Sequence, residues 1–215
     1  MLGPGTRITH AAVAALADNA CLAVWCGEEG VRFYALGQGA TRHAGNLLRQ
    51  AALCTRPAQR LQVVRRMYDL RFDEPLDPGL SLQQIRGMEG VRVREAYARA
   101  SRDTAVEWKG RNYDRGNWAA ADPVNRALSA GNACLYGVCQ AAIVALGYSP
   151  ALGFIHTGKQ LSFVYDVADF YKTSTTIPLA FQTARENPEH LEREMRIRCR
   201  DAFVRLKLLD QVVRD

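Results

Sequence analysis

Apolar residues recur at helical spacing along most of this chain and alternate with polar ones only near its start. Thr9, a residue type that caps helices through its side-chain oxygen, precedes a first helix predicted to run to about residue 20. The runs "CLAVWC" (21–26) and "VRFYAL" (31–36), joined by the turn "GEEG", predict two short strands. One helix and two strands bury little apolar surface by themselves, so this opening reads as the tail of a β-rich domain. "GQGATRHAGN" (37–46) reads as a linker. Beyond it, "NLLRQAALC" and "PAQRLQVVRRMYDLRF" place apolar residues on one helical face and arginines on the other. "EPLDPG" interrupts, and Ser81 with Gln84 then forms a capping box that opens a long helix over 82–102. Residues 108–123, "WKGRNYDRGNWAAADP", read as a polar loop rich in aromatics. Further helices are predicted over 123–147, 162–171 and, charged and amphipathic, 188–213. The fold class is therefore mainly α. Residues 1–40 are the remnant of a small N-terminal β domain, a helix plus two strands, and residues 41–215 form an α-helical domain.

Composition narrows the class. At 48% hydrophobic and 23% charged residues, the 215-residue chain resembles an ordinary globular protein. Its net charge is +6, and 24 of its 28 basic residues are arginine. Arginine forks match phosphate geometry, which points to a nucleic-acid partner; codon bias in a GC-rich genome accounts for the same composition. The six cysteines include no C-x-x-C pair, and no signal peptide opens the chain. They read as reduced thiols of a cytoplasmic protein. Residues 127–155 carry no charge. Gln140, Ser149 and Pro150 interrupt them, and their best helical part, about 15 residues, is short for a membrane span. A buried core helix is the expectation, with no membrane contact.

Chemistry enters with "GFIHTGKQLSFVYDVADFYK" (153–172), an apolar stretch that holds His156 and two acids, Asp166 and Asp169. The acids are three residues apart on a predicted helix and share a face. Like charges there repel unless a cation neutralises them, and a divalent ion with carboxylate ligands does this. Alternatively, both acids simply favour the positive end of the helix dipole. A histidine in an apolar loop is more often a hydrogen-bonded core residue than a ligand. Together with carboxylates, however, it suits Mg2+ or Mn2+. Glu89 in "RGMEGVRVRE" is a candidate third carboxylate. Gly87 and Gly90 beside it weaken a helix by about 1 kcal/mol each relative to alanine, and would let another backbone, or DNA, approach Glu89. Otherwise Glu89 is a partly exposed residue paired to Arg86 or Arg92.

The segments "GTRITHAA", "VRRMYDLRF", "IRGMEGVRVR", "CLYGV" and "GFIHTGKQLSFVYDVAD", in this order, closely resemble the CRISPR-associated integrase that acquires new spacers, in its type I-E branch. The resemblance implies an α-helical catalytic domain after an N-terminal β domain. It also implies a metal site built from Glu89, His156 and Asp169, with Asp166 as a further active-site acid that holds a metal-bound water or a second cation. The implied reaction joins the 3′-hydroxyl ends of captured DNA to the CRISPR repeat by transesterification, with Mg2+ or Mn2+ as cofactor.

The same resemblance carries DNA contacts onto Arg7 and Arg32, onto Tyr136, Lys159, Tyr165 and Lys172 near the catalytic acids, and onto Arg193, Arg196 and Arg200 of the last helix. Tyr113 and Trp118 of the aromatic loop would hold splayed single-stranded ends. For each aromatic residue the other role is core packing, and for the last three arginines it is a solvated face. The implied partners are double-stranded DNA with single-stranded 3′ ends, CRISPR repeat DNA, a second copy of the chain, and a small ferredoxin-like adaptation subunit. Family chains begin before the point matching Met1 and continue past Asp215, so this chain reads as shortened at both ends. Alternative functions are therefore a metal-dependent nuclease unable to integrate, or a non-catalytic DNA-binding fragment.

Overall fold

Thr9 caps the first helix as expected, its Oγ accepting from the Ala12 N–H at 3.2 Å. In the computed structural model, which describes residues 1–39, 43–112, 121–186 and 189–214, this helix is α1 (His10–Asp18), and it buries no residue. Strands β1 (Leu22–Cys26) and β2 (Phe33–Gln38) pair antiparallel, from Leu22 opposite Gln38 to Cys26 opposite Phe33. The second strand begins two residues later than predicted. The connection between the strands holds a 3-10 turn over Glu28–Gly30, with Glu29 at φ 56°. The hairpin does not stand alone. Gly137 lies so close beneath it that an added Cβ would sit 2.6 Å from the Phe33 Cβ.

Gly137 belongs to α5 (Pro123–Ala145), around which the helical part is built. Leu128, Leu135 and Cys139 of α5 are fully buried. They pack with Val164 of α6 (Ser162–Ala168), Phe181 of α7 (Thr176–Glu186), Met195 and Cys199 of α8 (Leu191–Arg205) and Leu208 of α9 (Leu208–Arg214). Each large apolar side chain so buried contributes about 1.5–3 kcal/mol. A second, smaller core joins Val64, Met67 and Tyr68 of α3 (Pro57–Asp69) to Ile85 of α4 (Leu82–Thr104) and to Phe154. Phe163 and Phe170 pack against both cores. Between them runs a seam, and the candidate site lies along it. From α2 (Gly45–Thr55), the buried Gln50 side chain bonds to Ser149 and Leu152, which fixes the turn leading into that seam.

The capping box is present: Ser81 Oγ accepts from the Gln84 N–H, and Gln84 Oε1 accepts from the Ser81 N–H. The linker is shorter than expected, because β2 runs to Gln38 and α2 starts at Gly45. Helix α5 is 23 residues long, so by length and apolarity it is able to cross a membrane, contrary to the shorter estimate. Its small polar residues do not break the helix, and more than half of its most apolar window is buried. Helix α6 ends earlier than predicted, at Ala168, and turns lead on to α7. That helix is hidden in the sequence by a run of threonines and by Pro178, which is tolerated in a first turn, where N–H groups have no intrahelical partner. The last predicted helix is two. Lys207, at φ 50°, breaks it, and α9 turns Leu208 and Val212 into the core.

Candidate functional site

Helix α4 carries Glu89, and the turn that ends α6 carries Asp169. Both carboxylates reach the same nitrogen of Arg71: its Nη1 lies 3.3 Å from Glu89 Oε1 and 3.8 Å from Asp169 Oδ2. Arg71 follows α3, and its side chain is only 3% exposed. Its guanidinium lies over the rings of Tyr68 and Phe170, and its Nη2 donates to the Asp166 carbonyl at 3.2 Å. Arg92 grips Glu89 with two bonds, Nε to Oε2 at 2.7 Å and Nη2 to Oε1 at 3.0 Å. Lys172 Nζ holds Asp169 Oδ1 at 2.6 Å and lies over the Tyr136 ring. Burial acts to lower the Lys172 pKa, but the Asp169 carboxylate and Tyr136 outweigh it, and the net shift is upward.

Asp166 behaves differently from its neighbour. Its side chain is fully buried, and both oxygens are taken by the loop before α6. Oδ2 accepts from the N–H groups of Phe154 and Ile155 at 2.6 and 3.0 Å. Oδ1 accepts from the His156 N–H, and pairs with His156 Nδ1, both at 2.7 Å. For the role of holding a metal-bound water or a second cation, implied by the resemblance, Asp166 presents no outward oxygen here: both are bonded within the loop. It is instead a clamp that shapes the loop and aims the imidazole. A carboxylate on Nδ1 places the proton there and leaves Nε2 as the free ring nitrogen. This hydrogen bond, ahead of the opposing effect of burial, raises the His156 pKa. Gly153 is required by the same turn, since a Cβ there would lie 2.2 Å from the His156 carbonyl oxygen. Arg60 closes the loop from α3, donating twice to the Phe154 carbonyl.

Hard carboxylate oxygens and one imidazole nitrogen, oriented by a carboxylate behind it, are the donor set of a magnesium or manganese site. By this chemistry Glu89, His156 and Asp169 fit such an ion. Among the described residues, no three acid, histidine or thiol side chains stand close enough together to form a finished ligand cage. The two carboxylates are held instead by Arg71, Arg92 and Lys172. Among the described residues the glycines beside Glu89 meet no other backbone: a Cβ on Gly87 would meet nothing within 4 Å, and one on Gly90 only the Arg94 guanidinium.

Tyr136 and Tyr165 form an edge-to-face pair with ring centroids 5.0 Å apart, and Tyr165 also packs against His156, so both line the acid cluster together with Lys172. Lys159 is exposed in the loop between His156 and α6. Arg32, Arg193 and Arg196 line a different cleft of about 740 Å3 between the hairpin, α5 and α8. Arg200 is paired with Glu29 and Asp201, which ties α8 to the hairpin turn. Arg7 is exposed before α1. Tyr113 and Trp118 lie outside the described residues. Arg71 and Arg60 were missed in the sequence, where Arg71 shows only as one arginine in the run "YDLRF" past a helix end.

The chain matches the family described as "CRISPR associated protein Cas1" over residues 71–200. It is 60% identical over 214 residues to the CRISPR-associated endonuclease Cas1 2 of Thermus thermophilus, covering 100% of this chain and 66% of that protein. It is 50% identical over 213 residues to the CRISPR-associated endonuclease Cas1 of Escherichia coli, covering 99% and 70%. It thus spans about two thirds of the length of these curated relatives. Among solved structures, it matches the crystal structure of a TtCas1–DNA complex with a TM-score of 0.91 at 59% identity, covering 100% of this chain and 80% of that one. A casposase bound to integration product shares the fold alone, with a TM-score of 0.60 at 16% identity over 91% and 70% of the two chains. Identity at this level over essentially the whole chain, on the same fold, makes this chain a member of the CRISPR-associated Cas1 family.

Proposed function

We propose that the chain is the catalytic part of a DNA integrase and endonuclease of CRISPR adaptation, of the type I-E branch. The observation that carries this reading is the meeting of Glu89 and Asp169 on one buried cation, Arg71, beside an imidazole whose Nε2 is left free. In the reaction, the 3′-oxygen of a captured DNA end bonds to a phosphorus of the CRISPR repeat. The bond from that phosphorus to the repeat strand's own 3′-oxygen breaks, and this oxygen leaves as a hydroxyl once it has taken up a proton. Glu89, His156 and Asp169 would hold Mg2+ or Mn2+, which supplies Lewis-acid stabilisation of charge on the phosphate. Asp166 keeps His156 in one orientation. Lys159 and the exposed arginines bind phosphate, and Tyr136 and Tyr165 wall the site. The relative crystallised as a DNA complex supports a DNA partner here. The proposed assembly is a homodimer around a small ferredoxin-like subunit, in the cytoplasm, acting on duplexes with single-stranded 3′ ends.

The test is incubation of the purified chain, with and without the companion subunit, with a labelled duplex, a repeat-bearing plasmid and manganese or magnesium. Joined label that disappears in Asp169→Asn supports integration. Manganese-dependent nicking without joining assigns the chain to the nuclease reading, and DNA binding with neither product assigns it to the non-catalytic one.

A further inference from the structure

A carboxylate on α4 and one in the turn after α6 share one guanidinium nitrogen, and the arginine that provides it is nearly inaccessible. Arg71 is fixed on every side but one. Tyr68 and Phe170 flank its guanidinium at 5.1 and 5.2 Å, and the Asp166 carbonyl anchors Nη2. Its Nε is buried with no hydrogen-bond partner among the described residues. A buried charge left one bond short is unfavourable unless its charge is needed where it stands. The need is visible, because without it Glu89 and Asp169 would face each other across the seam between the two cores. Among the described residues, Arg92 and Lys172 each serve one carboxylate, whereas Arg71 serves both.

We infer that Arg71 is a resident counter-cation for the Glu89–Asp169 pair, a positioning residue that stands in for a divalent ion in the metal-free protein and opposes that ion's binding. Buried between two rings, it does not swing away when an ion arrives. Its charge therefore keeps the carboxylates together beforehand and repels the incoming cation afterwards. The second half rests on the metal reading under Proposed function; the first half does not.

The experiment has two arms. In metal-free buffer with chelator, melting temperatures are measured for the wild type, Arg71→Gln, Glu89→Gln and the double variant. Arg71→Gln is expected to melt lowest, and the double variant to recover part of the loss, because one carboxylate then needs one cation fewer. Strictly additive losses would overturn the counter-cation role. If Arg71→Gln does not fold, recovery of folding in the double variant is the supporting result, and failure of both overturns the role. In the second arm, manganese binding is measured by calorimetry. Arg71→Gln is expected to bind about tenfold more tightly than wild type, and the charge-keeping Arg71→Lys within about threefold of it. A merely structural arginine gives the opposite sign, so equal or weaker binding by Arg71→Gln overturns the opposition to metal. If neither wild type nor any variant binds manganese, the metal reading and the opposition fall together, while the chelator arm still decides the counter-cation role.

Discussion

Replacing Asp166 by asparagine removes half of an acceptor set that the structure uses completely. Four donors converge on the two oxygens: the N–H groups of Phe154, Ile155 and His156, and His156 Nδ1. An asparagine NH2 turned towards Phe154 and Ile155 faces two N–H donors; turned towards His156 it faces one, because Nδ1 accepts from it once the ring proton moves to Nε2. Each buried donor without a partner costs about 1–3 kcal/mol, so one or two cost about 1–6 kcal/mol, out of a total stability of about 5–15 kcal/mol for a native domain. The expected result in urea unfolding is a midpoint lowered by that free energy divided by the slope, with the slope itself unchanged. The amides of residues 154–156 should exchange much faster in the variant than in wild type, because the loop loses its clamp. Manganese affinity falls as well, through the misaimed imidazole and not through a lost ligand. A loss of stability below about 1 kcal/mol, with slow exchange retained, would refute the clamp and return Asp166 to a role at the metal.

Other outcomes follow from the same geometry. His156 is bound to Asp166 and titrates above its ordinary value. Its stabilising contribution is therefore complete below about pH 6.5 and is lost as pH rises through the raised folded value. Melting curves across this range should show that dependence in wild type and not in Asp166→Asn, and manganese affinity should weaken as falling pH protonates the free ring nitrogen. Gly153→Ala should destabilise by about 1–3 kcal/mol or more, since its Cβ meets a backbone carbonyl that has little room to move. Gly87→Ala, in open space, should stabilise by about 0.5–1 kcal/mol; intact strand transfer in that variant would show that DNA does not approach there. Removing Arg193 and Arg196 together should flatten the salt dependence of DNA binding more than removing the paired Arg200, as measured by fluorescence anisotropy at several salt concentrations.

The residues of the acid cluster were visible in the sequence because each broke a local rule. Glu89 stood between helix-weakening glycines, and two acids and a histidine sat in an apolar stretch. Their division of labour was not visible. Asp166 and Asp169 have the same side chain, and only the folded loop shows that one points into backbone N–H groups and the other towards Arg71 and Lys172. Arg71 was hidden for a related reason, as Asp166, Asp169 and Phe170 lie far along the chain from it and nothing local marks a buried arginine. The capping box at Ser81 was legible because its bonds are local. The break at Lys207 was not, because Leu208 and Val212 turn inward only to reach α5. Helix α7 lacked a recognisable start signal.

The seam between the two cores also bears on how the protein is made. Arg71 and Asp166 are 95 positions apart, and Arg92 and Thr173 are 81. A chain emerging from the ribosome thus displays Glu89 on its helix long before the other half of the site exists. Until α6 has been synthesised and packed against α3, the acids, the imidazole and the buried guanidinium are unrelated groups on an unfinished polymer. The proposed activity, which needs both halves of the site, is in this way withheld until synthesis has passed Asp169 and Lys172.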